Sequence, residues 1–274
     1  SGSEVRRVHL FGGEPTVYPH LLELVGQLER RGLHFFFATN GLCPPERLER
    51  LLSSSMLEEV TLHVGRRDEY DPDAWRALAR NARLLARGDV QVVVRINLVD
   101  PARRDWEHLD LFMDALPRAH LSFSPAFPAP DRRNAHATLE ALPSFAPKIA
   151  ALTRHAARRW PGHRLVLAKP FPLCAFQARD LADVLAAVDY HNVCEIRRRH
   201  FTDQAIIHPD QSVSPCMAVT APPYRARLAP LAALSERFEA ALAPLLATPM
   251  YEPCEACALF DGGACQGACY AYVQ

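Results

Sequence analysis

An alternation constrains this chain more than anything else in it. Through the first 125 residues, short apolar stretches with strand character are each followed by an amphipathic stretch of helical period. Strands are expected at 5–11, 33–38, 59–64, 90–98 and 120–124, all rich in Val, Phe, Leu or Ile. Helices are expected between them at about 18–31, 44–55, 72–87 and 103–115. Strand then helix, repeated, means βαβ units and a parallel sheet. Pro44-Pro45-Glu46, Asp71-Pro72-Asp73 and Asp100-Pro101 punctuate helix starts, and Gly32 and Gly88 stand where helices should stop. A right-handed run of such units closes or part-closes into a barrel, whose functional face lies at the carboxyl ends of its strands.

The texture changes at "PAFPAPDRRN", residues 125–134. A long helix is expected over 135–160, kinked at Pro143 or Pro147, and one more strand at 165–168. Past "KPFPLCAF" the alternation is expected to stop, apart from a helix at 224–247. The expected organisation is therefore α/β: a partial parallel (β/α) barrel over 1–169 and a small Cys-rich metal-binding module over 170–274. The chain's 274 residues suffice for both.

With 31 acidic residues against 31 Lys plus Arg, nothing suggests a polybasic surface, so no nucleic-acid partner is expected. No apolar run approaches 18 residues and no charged-then-apolar leader is visible. No membrane partner is expected, and a cytoplasmic location follows by default.

Eight cysteines are distributed unevenly: Cys43 stands early, and Cys174, Cys194, Cys216, Cys254, Cys257, Cys265 and Cys269 fall late. A reducing compartment disfavours a disulfide framework, which leaves metal ligation. Cys254-x2-Cys257 points two soft ligands at one site, and Cys265-x3-Cys269 adds two more. Seven cysteines exceed one zinc site, and the glycines Gly262, Gly263 and Gly267 between them suit backbone wrapped around a larger cluster. An iron–sulfur cluster is favoured over zinc, with a zinc-stabilised structural module as the alternative. Cys43 reads as a buried hydrophobe rather than a reactive thiol, His200 and His208 as surface histidines, and Tyr270 and Tyr272 as packing at a seam.

At the end of the first strand lies Gly12-Gly13-Glu14-Pro15, where side-chain-free residues let a ligand approach the main chain. Thr39-Asn40-Gly41 ends the next strand and Arg95-Ile96-Asn97 sits in a later one. Several polar strand ends on one face of a barrel favour a ligand over three unrelated turns.

These residues carry a resemblance. "VHLFGGEPTVYPHLLELVGQLERRGLHFFFATNGL" resembles the second strand, GGEP motif, helix and third strand of radical S-adenosylmethionine (radical SAM) enzymes. The Cys-rich tail resembles the SPASM and twitch modules that hold auxiliary clusters in that superfamily. The resemblance implies that Gly12, Gly13, Glu14 and Pro15 bind the amino group of S-adenosylmethionine. By position it implies ribose or carboxylate contacts from Asn40, His63, Arg95 and Asn97, although "TLHVGRRDEYD" puts His63 where the family often has a Ser-x-Asp-like pattern.

In the tail, Cys216 matches the end of the family's first element, with Gln211 in place of its glycine. Cys194 or Cys174 is the earlier ligand. Cys254, Cys257, Cys265 and Cys269 match the second element, with seven residues rather than five between Cys257 and Cys265. One auxiliary [4Fe–4S] cluster, with a second less secure, is implied.

The family's C-x3-C-x2-C motif, which holds the catalytic [4Fe–4S] cluster, is not among these residues. The chain begins at what resembles the second strand, so the first strand and cluster loop are expected upstream. The implied function is hydrogen abstraction by a 5′-deoxyadenosyl radical, from a peptide side chain in the first place, as in a peptide or protein maturase, with a small molecule as the alternative substrate, and with an electron donor such as a flavodoxin or ferredoxin. The alternative is a degenerate binding or scaffold protein that keeps the fold without radical chemistry.

Overall fold

In the computed structural model, residues 5–104, 106–129, 133–190, 194, 205–217, 224–225 and 231–273 are described. Seven strands form one parallel sheet in sequential order: β1 (Arg7–Leu10), β2 (His34–Thr39), β3 (Leu57–His63), β4 (Gln91–Leu98), β5 (His120–Pro125), β6 (Leu165–Leu167) and β7 (Val188–Tyr190). The crossovers carry α1 (Leu21–Arg30), α2 (Pro45–Leu52), α3 (Pro72–Leu85), α4 (Leu109–Ala115), α5 (Ala146–Arg159) and α6 (Ala178–Ala187). The sheet is open, with β1 and β7 at its edges, as a partial barrel requires.

The helices form where the sequence permits them. Pro72 occupies the first turn of α3, and the Asp71 carboxylate accepts from Ala74 N at 2.8 Å, satisfying one orphan donor. The long helix expected over 135–160 is instead a 3-10 turn at Leu142–Phe145 leading into α5. Pro143 and Pro147 mark starts rather than kinks, because a proline without an N–H fits a first turn and disrupts an interior.

The alternation does not stop near residue 170. The helix α6 and the strand β7 add one further unit to the parallel sheet, ending at Tyr190. The helix expected over 224–247 begins at Leu231 as α7 (Leu231–Ala247). Tyr224–Arg225 is instead a strand, β10, beside β9 (Ser212–Ser214), which pairs with β8 (Ile206–Ile207) in a small antiparallel sheet. His200 lies outside the described residues.

The period-2 alternation sorts the strands' residues onto two faces. Phe35, Phe37, Val60, Leu62, Val94, Ile96, Leu121, Phe123 and Leu167 are buried against the helices, where Leu48, Leu51, Leu78, Phe112, Ile149 and Leu152 complete the core. The other face carries Glu59, Thr61, His63, Arg95, Asn97, Ser122 and Ser124. A parallel sheet is ordinarily apolar on both faces, so this polar face is the one available to a ligand. The C-terminal residues Val213, Leu234, Phe238, Leu242, Met250 and Tyr270 join the same core. Tyr272 Oη donates to Ala126 O and Tyr251 Oη to Leu139 O, both at 3.0 Å. No helix among the described residues is long and apolar enough to cross a membrane.

Between β8 and β9, Gln211 has φ of +68°, the left-handed conformation that glycine adopts without cost. Gln211 N donates to His208 O and His208 N to Ser212 O, closing the turn. The backbone thus keeps a glycine's geometry where the tail pattern expects glycine. Gln211→Gly is expected to stabilise the protein by about 1 kcal/mol, read as a raised denaturation midpoint, and an unchanged or lowered midpoint would show that the turn is not strained.

Candidate functional site

The loop after β1 is built around one carboxylate. Gly12 has φ of +104°, turning the chain sharply as it leaves the strand. Glu14 then caps the 3-10 turn Pro15–Val17. Its Oε1 accepts from Thr16 N (3.0 Å), Thr16 Oγ1 (2.5 Å) and Thr39 Oγ1 (2.9 Å), and its Oε2 accepts from Asn40 N (2.6 Å). The loop after β1 is thereby bound to the end of β2. Arg47 of α2 also donates to Thr16 O. Gly12 and Gly13 are exposed, and a Cβ on either would meet nothing within 4 Å, so their main chain is open to a ligand.

The loop after β2 is held from the opposite side. Gly41 has φ of +72°, and a Cβ there would lie 2.6 Å from Leu78 and 2.7 Å from Leu62. The fully buried Asn81 of α3 donates to Gly41 O and Cys43 O, both at 2.8 Å. Asn40 Oδ1 accepts from Leu42 N at 3.0 Å, an Asx turn. Cys43 is buried, and desolvation followed by the charge of Glu14 pushes its thiol pKa up, which disfavours the reactive thiolate.

On the polar face, register places His63 beside Arg95, Arg95 beside Ser122, and Asn97 beside Ser124. Arg95 Nη1 donates to Ser122 Oγ (2.8 Å) and Nη2 to Ser124 Oγ (2.9 Å). Burial pushes the Arg95 pKa down to about 10, so the guanidinium is still charged at neutral pH. Among the described residues no carboxylate is paired with it.

The pKa of His63 is lowered, first by burial and then by the Arg95 charge, and its Nε2 is buried without a partner among the described residues. A desolvated cation held by neutral hydroxyls beside an orphaned polar atom is an incomplete arrangement, and an anionic or polar ligand completes it.

These groups share one edge because parallel strands all end on the same side. The expected residues Gly12, Gly13, Glu14, Pro15, Asn40, His63, Arg95 and Asn97 therefore lie along the carboxyl ends of β1 to β4. Thr16, Thr39, Asn81, Ser122 and Ser124, which support them, escaped the sequence reading. Only the spacing of Ser122 and Ser124 by two, opposite a strand arginine, hinted at their part.

The described cysteines form no disulfide. Cys254, Cys265 and Cys269 are buried, Cys194, Cys216 and Cys257 half-buried, and Cys174 exposed. Gly267 N donates to Cys265 Sγ at 3.3 Å, and a Cβ on Gly267 would lie 3.5 Å from Cys254 Sγ and 3.0 Å from Met250. Two thiols thus meet at Gly267, and among the described residues no three His, Cys, Asp or Glu side chains are grouped closely enough to hold a metal ion. Gln266, fully buried, accepts from Cys194 N at 2.6 Å. His208 Nε2 meets Ser214 Oγ at 2.8 Å within the hairpin, and Tyr270 and Tyr272 are packed with their hydroxyls on main-chain carbonyls.

No family model matches the sequence. Over 97 residues the chain is 32% identical to S-adenosyl-L-methionine-dependent tRNA 4-demethylwyosine synthases of Pyrococcus horikoshii and Pyrococcus abyssi. That match takes in 32% of this chain and 28% of the length of those relatives. Among solved structures, Streptococcus suis SuiB bound to S-adenosylmethionine aligns with 97% of this chain at a TM-score of 0.60 and 16% identity, the chain spanning 61% of SuiB. SuiB bound to its precursor peptide SuiA aligns at 0.62. Native anSMEcpe with bound AdoMet aligns with 96% of this chain at 0.57 and 15% identity, 74% of that protein being spanned. These likenesses establish a shared fold.

Two outcomes follow from the geometry. Asn81→Ala strips two buried carbonyls of their donor and is expected to cost about 2–3 kcal/mol, measured by chemical denaturation; a cost below 1 kcal/mol would remove Asn81 from the framework. Because the His63 pKa is lowered in the folded protein, its contribution to stability is full above the ordinary 6.5 and is lost as pH falls from there to the folded value. His63→Gln is expected to flatten that stretch of the stability profile.

Proposed function

We propose that this chain, which has the fold of the radical SAM enzymes, is the S-adenosylmethionine-binding and auxiliary-cluster part of an enzyme that modifies a peptide side chain by hydrogen abstraction. The observation that carries the reading is the uncompensated Arg95 guanidinium on the same sheet edge as the open Gly12-Gly13 main chain. A zwitterionic amino acid group has the complementary charges: its carboxylate suits Arg95, and its ammonium suits carbonyl oxygens of the glycine loop. The neutral His63 and the amides of Asn40 and Asn97 suit ribose hydroxyls and polar ring atoms.

When S-adenosylmethionine is bound to a reduced [4Fe–4S] cluster it supplies a 5′-deoxyadenosyl radical, which takes a hydrogen atom from the substrate. The residues of this chain bind and orient. Glu14 holds the glycine loop in place through four donors. Ser122 and Ser124 aim the Arg95 fork. The C-x3-C-x2-C ligands of the catalytic cluster are assigned to a segment upstream of Ser1, consistent with relatives of which this chain spans only a part. Auxiliary clusters are assigned to the cysteines from Cys174 onward, and the electron to a flavodoxin or ferredoxin.

A peptide is favoured as substrate because the shared fold with SuiB, solved with its precursor peptide SuiA, extends over 97% of this chain, while the sequence match to the tRNA enzymes is confined to 97 residues. The even balance of 31 acidic and 31 basic residues also lacks the electrostatic footprint of an RNA-binding surface.

The test uses the full native protein, purified without oxygen, reduced with dithionite and given S-adenosylmethionine. Formation of 5′-deoxyadenosine is expected, and its absence overturns the radical reading in favour of a binding protein that retains the fold. Arg95→Met is expected to weaken S-adenosylmethionine binding by at least about tenfold, or about 1.4 kcal/mol. The same variant should leave the ligand-free protein as stable as before or more so, because it removes a half-buried charge that has no carboxylate partner among the described residues. A large loss of stability without ligand would make Arg95 a structural residue instead.

A further inference from the structure

The helix α3 buries one side and leaves the other to solvent. Leu78, Ala79, Ala82 and Leu85 are buried, with Asn81 beside them. On the opposite side stand Arg76, Arg80 and Arg83, and Arg87 continues the row just past the end of the helix. All four are exposed. Between Asp73 and Asp89 the chain holds no acidic residue.

This row works against the helix that carries it. Side chains three and four positions apart are neighbours on a helix surface, and like charges there repel. Arg76 is relieved by the Asp73 carboxylate in the first turn, and Arg83 gains from the negative end of the helix dipole. Among the described residues no carboxylate pairs with Arg80, Arg83 or Arg87.

Elsewhere on the helical surface arginines are paired. Arg154 of α5 holds Asp180 and Asp183 of α6 at 2.7 and 2.9 Å, and Arg159 holds Asp114 of α4 at 2.7 Å. A general abundance of arginine therefore does not account for the row. What sets α3 apart is the lack of acids to answer it.

We propose that the outer face of α3 is a docking surface for an acidic helical segment of a partner polypeptide. The row runs about 16 Å along the helix axis. Its steps of four, three and four positions are those at which a second helix presents carboxylates along one of its own faces. A guanidinium forms two parallel hydrogen bonds to a carboxylate, so each position can be matched individually. A nucleic-acid strand fits less well, because its bases call for free aromatic platforms. The Trp75 ring at the start of α3 is already engaged, packed on Phe112 at 5.2 Å and on Tyr70 at 5.6 Å, with the Arg67 guanidinium 4.9 Å from its centre.

The docking surface and the ligand face lie on opposite sides of the sheet. The buried residues of α3 join the apolar core, whereas His63 and Arg95 stand on the polar face. A partner held on α3 leaves that face open, so the two can be occupied together.

The test uses the full native protein and a fluorescein-labelled, alanine-based helical peptide with Glu at positions i, i+4, i+7 and i+11, with binding read by fluorescence anisotropy. One control peptide has the same composition with its Glu residues spread around the helix, and a second control is a single-stranded RNA of equal charge. The first peptide is expected to bind at least about tenfold more tightly than either control, with an affinity that falls as salt is raised. The combined variant Arg80→Gln, Arg83→Gln and Arg87→Gln is expected to bind it about tenfold more weakly, with a denaturation midpoint unchanged or raised.

Equal binding of the two peptides, tighter binding of the RNA, or undiminished binding by the variant overturns the proposal. A lowered midpoint in the variant also overturns it, because the arginines then serve the helix itself. The peptide comparison needs no variant. None of these readings involves radical chemistry, so failure of this proposal and failure of the proposed activity are separate results.

Discussion

The carboxylate of Glu14 makes the ends of two strands into one rigid piece, and the rest of the site depends on that. Hydrogen bonds to a charged acceptor are each worth about 1.5–3 kcal/mol, and Glu14 accepts four, from Thr16, Thr39 and Asn40. With its oxygens occupied by protein donors, the carboxylate is a structural member of the loop. The clamp holds the exposed main chain of Gly12 and Gly13 at the mouth of the sheet. Asn81 acts as the counterpart for the loop after β2, bonding Gly41 O and Cys43 O from inside α3. Two buried or half-buried polar side chains thus set the shape of two loops that would otherwise be free to move.

Across the sheet the organising problem is electrostatic. One face of β4 is filled by Val92, Val94, Ile96 and Leu98, packed on helices, and stabilises the domain by burial. The other face of the same strand carries Arg95, whose desolvated charge works against the fold. Ser122 and Ser124 satisfy its hydrogen bonds without cancelling its charge. The apolar core on the helix side tolerates this cost, and the charge remains uncancelled on the polar face. Stability and binding are divided between the two sides of one strand by its period of two.

How much of this was legible follows from which signals are local. The runs of Phe, Val and Leu that make β2 and β4 announce themselves, and so does the Gly-Gly turn after β1. The strand β7 does not: three residues that follow α6 without a connecting loop leave too short an alternation to read. Pro143 and Pro147 suggested a kink because their helix was extended too far toward the N-terminus. Arg95 was legible because a charge in a strand is conspicuous, whereas Asn81 looks like any polar residue on a helix until its burial is known. Thr39 meets Glu14 from a different segment, and no local pattern records that meeting.

Parallel topology explains why the two kinds of chemistry meet at all. Every strand of a parallel sheet delivers its following loop to the same edge, so the glycine loop after β1 and the Cys174 turn after β6 emerge on one side. The C-terminal module is fastened along that edge: Tyr272 bonds the carbonyl of Ala126, just past β5, and Tyr251 bonds that of Leu139 in the connection that follows. Val213, Phe238, Leu242 and Tyr270 then share the core of the barrel, which makes the module a continuation of the fold rather than a tethered appendage. Arg95 on β4 and the Cys174 turn after β6 are therefore separated by two strand intervals of about 4.8 Å each, on one edge of the same sheet.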